Sequence, residues 1–166
     1  MQVPRRKPGK YTNLKPDAHM TPEKLAELKN KLEKLKTIRP QQAAEVKELS
    51  TTGDFSENAG YQMAKGRLRG INQRILDLEE MIKNAVIIRG KKSGSVELGS
   101  TVTVEIGGRE KKYKILGSSE TDPGRGVISH NSAVGRALLG RKAGEMVKIR
   151  PGDKDKEVIY KIIKIE

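Results

Sequence analysis

The chain has 166 residues, with 34 lysines and arginines against 21 aspartates and glutamates and a formal net charge of +13, enough for one domain or two small ones. Apolar residues make up 34% and aromatics 3%, too little for one thick core, so an elongated piece joined to a small compact one is expected. Cysteine is absent, which excludes disulfides, thiolate metal sites and cysteine nucleophiles; no apolar run is long enough to span a membrane, and the basic, polar first 20 residues are no secretory signal. Composition alone fits a cytoplasmic protein drawn to a polyanion, or a charged surface that serves only solubility.

Residues 1–20 carry Arg5, Arg6, Lys7, Lys10 and Lys15 against Asp17, with Pro4, Pro8 and Pro16 opposing helix. This reads as a flexible basic arm, either a solvated tail or a phosphate contact. A helix starts after Thr21, a suitable N-cap, with Pro22 at the first helical position. Its apolar seam is Leu25, Leu28, Leu32, Leu35, Val46 and Leu49, interrupted at Arg39 and Gln42 beside Pro40. The phase is kept across the interruption, so one helix kinked at Pro40 is expected rather than two.

A second seam is unbroken: Tyr61, Ala64, Leu68, Ile71, Ile75, Leu78, Ile82 and Ala85. Its 3-4 spacing predicts a coiled-coil face. Between the seams lies a short turn, residues 50–56, containing Gly53. Two long helices joined so tightly make an antiparallel hairpin over 21–88, with residues 53–58 held alone at its far end.

From Arg89 the period changes. Residues 90–95 read as a linker into a second domain over 95–166. Thr101–Ile106 alternates with period two and ends at Gly107-Gly108, a hairpin turn into residues 112–116. Residues 157–165 form another strand, returned by a turn at Pro151-Gly152-Asp153 onto 146–150. Residues 132–139, closed by Gly140, form one short helix. The fold class is α+β: a helical hairpin followed by a small antiparallel sheet with one helix.

The candidate chemistry lies at the turn. Asp54 and Glu57 are three residues apart, which matches a capping box for the second helix. The same pair could instead supply oxygen ligands to Mg²⁺, which takes one or two protein carboxylates and completes its shell with water and phosphate. Lys65, Arg67, Arg69 and Arg74 follow on the second helix, either gripping a phosphate backbone or standing as ordinary solvated charges. Phe55, the only phenylalanine, either packs into the hairpin end or stacks on a base. Other templates fail. His19 and His130 are isolated in sequence, Ser129 and Ser132 lack an evident base, and the glycines of 117–126 lack a phosphate-loop ending.

Two motifs then carry a resemblance. Gly53-Asp54-Phe55-Ser56-Glu57-Asn58-Ala59 with Tyr61 and Arg74-Ile75 resembles the tip and second helix of the bacterial GreA/GreB transcript cleavage factors. Residues 117–123 and the stretch 128–140, Ile-Ser-His-Asn-Ser-Ala-Val-Gly-Arg-Ala-Leu-Leu-Gly, resemble that family's C-terminal motif. The resemblance implies a coiled-coil N-terminal domain and an FKBP-like C-terminal domain. It implies RNA polymerase as partner, with the coiled coil in the secondary channel near the 3′ end of backtracked RNA and DNA of the elongation complex within reach. It further implies a monomeric cytoplasmic factor that is not itself an enzyme.

On the same grounds Asp54 and Glu57 match the acidic pair that helps hold the second catalytic Mg²⁺, the first remaining on the polymerase. Water activated there cleaves the RNA. Phe55, Ser56, Asn58 and Tyr61 match tip positions near the RNA end. Ser129, Asn131, Ser132, Gly135 and Arg136 fall in the stretch implied to dock at the channel rim. The sequence departs from the family pattern at Gly60, where an acidic residue is common, and at Ala133, where proline is frequent. A non-cleaving regulator of the same channel is the alternative, disfavoured by retention of both acids.

Overall fold

In the computed structural model of the chain, residues 17–51, 59–90, 94–150 and 157–166 are described. Strand β1 (His19–Met20) leads into helix α1 (Pro22–Thr51), followed by α2 (Ala59–Lys83) and β2 (Val86–Ile87). The second half holds β3 (Thr101–Ile106), β4 (Arg109–Leu116), β5 (Val127–Ser129), α3 (Ala133–Leu138), β6 (Met146–Ile149) and β7 (Val158–Ile165), with two 3₁₀ turns between β4 and β5.

Helix α1 begins where the sequence predicts. The Thr21 hydroxyl oxygen accepts a hydrogen bond from the Lys24 N–H at 3.2 Å, filling one of the donors left open at a helix start. The helix contains Pro40 without dividing there, and at 30 residues it extends about 45 Å. Leu28 and Leu32 of α1 and Ala64 and Ile75 of α2 are the buried seam residues. The other predicted seam positions of α2 are half-buried, while Met63 and Leu76 beside them are exposed. Cross-pairs fix the register: Lys36 with Glu79 at 3.0 Å, Arg39 Nε with Asn72 Oδ1 at 2.8 Å, and Arg67 with Glu45. As the number rises on α1 it falls on α2, so the helices are antiparallel.

The C-terminal sheet has the order β5-β4-β3-β7-β6. The β3–β4 hairpin turns at Gly107 and Gly108, both at positive φ, where glycine has no Cβ penalty. One edge corrects the expectation of an antiparallel sheet: β5 runs parallel to β4. The chain reaches β5 through residues 117–126, a crossover with two 3₁₀ turns, instead of a two-residue hairpin.

A bulge keeps the core in phase. Val104 lies opposite Ile162 and Thr103 opposite Lys164, leaving Ile163 as the extra residue. Val158, Tyr160 and Ile162 therefore face inward on one parity and Ile165 on the other, all packed in the same core. That core comprises Val96, Val102, Val104, Ile115, Leu138, Val147, Ile149, Tyr160 and Ile162, with α3 supplying Leu138.

The two halves meet at β1. Residues 17–20, assigned by sequence to a free arm, are part of the folded body: β1 pairs in parallel with β2, and Met20 is fully buried. On the other side β1 lies on Gly117, whose missing Cβ would fall deep inside van der Waals contact with the His19 carbonyl oxygen. Gly66 on α2, by contrast, faces open space: a Cβ there would meet nothing within 4 Å. Substituting alanine should therefore have opposite signs at the two sites. Gly117→Ala is expected to destabilise the chain by about 1–3 kcal/mol through overpacking, and Gly66→Ala to stabilise it by up to about 1 kcal/mol through helix propensity, both read by urea denaturation.

Candidate functional site

The two acids singled out by sequence, Asp54 and Glu57, lie outside the described residues, as do Phe55, Ser56 and Asn58. What the fold does establish is their setting. Helices α1 (Pro22–Thr51) and α2 (Ala59–Lys83) run antiparallel, and both carboxylates lie between them in the sequence.

The predicted basic residues of α2 separate into different environments. Tyr61 is half-buried, and the Lys65 ammonium sits 5.6 Å from its ring centroid, one helical turn away. Arg67 is ion-paired with Glu45 across the hairpin, so part of its charge is neutralised within the protein. Arg69 is exposed. Arg74 lies further from the tip, lining a groove with Lys31, Lys34, Leu35, Asp77 and Leu78. The stripe is thus interrupted by internal pairing, and Lys65 and Arg69 are its most available cations near the connection.

The C-terminal motif folds into a hydrogen-bonded turn that opens α3. Ser132 is the helix cap: its hydroxyl accepts from the Gly135 N–H at 2.9 Å and donates to the Ser129 carbonyl at 2.7 Å. Ser129 Oγ is 2.9 Å from Ser118 Oγ and accepts from the Asn131 N–H at 3.0 Å. Gly135 is buried, and a Cβ there would collide with the Ser129 carbonyl oxygen. These three residues shape the loop, while Asn131 and Arg136 present exposed side chains. Ser132→Ala is expected to cost about 1 kcal/mol in thermal denaturation through loss of the cap.

The sequence reading of His19 and His130 as isolated is corrected by the fold. Strand β1 and the loop after β5 bring them edge to face, with ring centroids 5.3 Å apart. Asp17 lies between them: its Oδ1 is 3.0 Å from His19 Nδ1 and its Oδ2 is 3.4 Å from His130 Nδ1. Burial pushes the Asp17 carboxyl up, but hydrogen bonds from Ser118 and His19 outweigh it and hold it down at about 2. Asp17 and His130 are over 100 residues apart in sequence, so no local spacing could reveal the cluster.

Comparison with known proteins assigns the class of this two-part chain. Residues 18–87 match the family described as "Transcription elongation factor, N-terminal", and residues 91–166 match "Transcription elongation factor, GreA/GreB, C-term". The chain belongs to the GreA/GreB family of transcription elongation factors. It is similar to transcription elongation factor GreA of Bacillus cereus, with 45% identity over 139 residues, covering 80% of this chain and 88% of that protein. GreA of Macrococcus caseolyticus is 41% identical over 150 residues, covering 88% and 94%. Among solved structures, Thermus aquaticus Gfh1 is 23% identical over 89% of this chain and 96% of that one, with a TM-score of 0.40.

Proposed function

We propose that this chain stimulates transcript cleavage by RNA polymerase, inserting its helical hairpin into the secondary channel and bringing Asp54 and Glu57 to a backtracked RNA 3′ end. The observation that carries this reading is positional. A chain matching the family in both halves keeps two carboxylates three residues apart in the connection between two antiparallel helices. A capping box explains their spacing but not the long projection on which they stand.

Two carboxylates suit Mg²⁺, a hard cation that takes oxygen donors and seldom a dedicated protein cage. When bound jointly with polymerase groups, such an ion activates a water and stabilises the leaving oxygen of an in-line displacement. The chain's own part is to deliver the acids and hold them. The long hairpin supplies reach, while Lys65 and Arg69 offer exposed charge to the RNA backbone behind the tip. Tyr61, half-buried beneath Lys65, anchors the first turn of α2, which follows residues 54–58 in the chain. Arg136 and Asn131, exposed on the loop that Ser129, Ser132 and Gly135 shape, form the contact at the channel rim. In this reading the factor has no nuclease of its own and acts in the cytoplasm beside polymerase, RNA and the DNA of the elongation complex. The FKBP-like assignment of the second domain belongs to the same reading. No helix among the described residues is long and apolar enough to cross a membrane.

The test uses stalled, backtracked elongation complexes. The expected result is Mg²⁺-dependent release of short 3′ RNA fragments, reduced by about 100-fold or more in Asp54→Asn and in Glu57→Gln, the scale of removing one group that stabilises the transition state. Thermal denaturation of both variants separates ligation from capping: Asn and Gln keep the capping-box hydrogen bonds, so the melting temperature should stay near native while cleavage is lost. Normal cleavage by both variants would overturn the assignment of the acids. Occupancy of the channel without fragments from the native chain would make it a non-cleaving regulator.

A further inference from the structure

We propose that Asp17, His19 and His130 form a transition-metal site, with Zn²⁺ the best-matched ion, fastening the segment before α1 to the C-terminal domain. One ligand atom from each residue lies within 4.8 Å of the other two. Ligands at about 2.0–2.2 Å from a tetrahedral ion stand roughly 3.3 Å apart, so binding draws the three atoms together by at most about 1.5 Å. Two imidazoles and one carboxylate are the donor set of a borderline-soft divalent ion, whereas Mg²⁺ and Ca²⁺ take oxygen.

Three features favour a site over a chance meeting of polar side chains. Asp17 is nearly enclosed, its side chain 7% exposed, and its carboxylate is already aimed. Oδ2 accepts from the Ser118 N–H at 2.6 Å and Oδ1 from the His19 N–H at 3.1 Å. Backbone donors of this kind orient a metal-binding carboxylate and leave lone pairs free for the ion. Next, His130 Nδ1 is buried without a hydrogen bond of good geometry, although Asp17 is near, and a buried polar nitrogen left so is costly. A metal ion would satisfy it. Finally, His19 remains 40% exposed, which gives an ion a path inward and leaves the fourth coordination position to water.

The site is distinct from the acids of residues 52–58, and its ligands come from both halves of the molecule. A bound ion would therefore stabilise the junction between them, because binding to the folded form alone adds to stability.

The test titrates chelator-treated full-length protein with Co²⁺, reading visible ligand-field absorption, then displaces it with Zn²⁺. Expected are a saturable spectrum at one equivalent, displacement by Zn²⁺ but not Mg²⁺, and a rise in melting temperature on adding ZnCl₂. Affinity should fall at least tenfold in His130→Ala and in His19→Ala, and stay unchanged in Asp54→Asn/Glu57→Gln. Far-UV circular dichroism checks folding, and the more exposed His19→Ala decides the matter if His130→Ala does not fold. No saturable spectrum, or equal affinity in the native and folded His variants, overturns the proposal.

Discussion

One side-chain hydroxyl ties the architecture together. Thr21 Oγ1 receives the Lys24 N–H at the start of α1 and donates to Glu120 Oε1 at 2.5 Å, while the Thr21 N–H donates to Glu120 Oε2 at 2.8 Å. The group that begins the hairpin is thus the group held by the C-terminal domain. Asp17 repeats the device three residues from β1's end, binding the Ser118 N–H beside the same 3₁₀ turn. Both acids are charge-assisted acceptors of backbone donors, the stronger kind of hydrogen bond. Gly117 allows the close approach that brings these partners together. The direction in which the hairpin leaves the second domain depends on this small set of contacts.

That constraint bears on the proposed function, in which the acids between the helices act at a distance. A helix of 30 residues converts a small change of angle at its base into a large displacement at its end: about 45 Å of reach turns each degree into about 0.8 Å. Placement of a ligand carboxylate tolerates errors of only about half an ångström. The stiffness of the hairpin itself comes from the seam and from cross-helix pairs such as Arg67 with Glu45 and Lys36 with Glu79. Exposed pairs of this sort contribute little stability singly; their service here is to hold register along two thin helices that bury few large side chains.

Much of this was legible in the sequence, and the legible part is local. The seams of α1 and α2, the cap at Thr21, the β3–β4 turn at Gly107 and Gly108, and the start of α3 at Ser132 all rest on residues within one turn or one hairpin of each other. What escaped is long-range. The β1–β2 pair joins two-residue strands more than 60 positions apart, too short for periodicity to register. The parallel β4–β5 pairing depends on a crossover of turns, and the Ile163 bulge on a register that only the assembled sheet defines. The Asp17–His19–His130 cluster unites the residues that looked least informative singly.

The claim that the Glu120 and Asp17 contacts set the hairpin's direction can be measured in a chain without cysteines. Spin labels at Met63→Cys on α2 and Met146→Cys on β6, both exposed positions, report the distance between hairpin and sheet by pulsed electron–electron resonance. One narrow distance distribution is expected in the otherwise native chain, broadened or shifted in Glu120→Ala and more so with Asp17→Ala added. A broad distribution at the outset, or a narrow one unmoved by both substitutions, would contradict the claim.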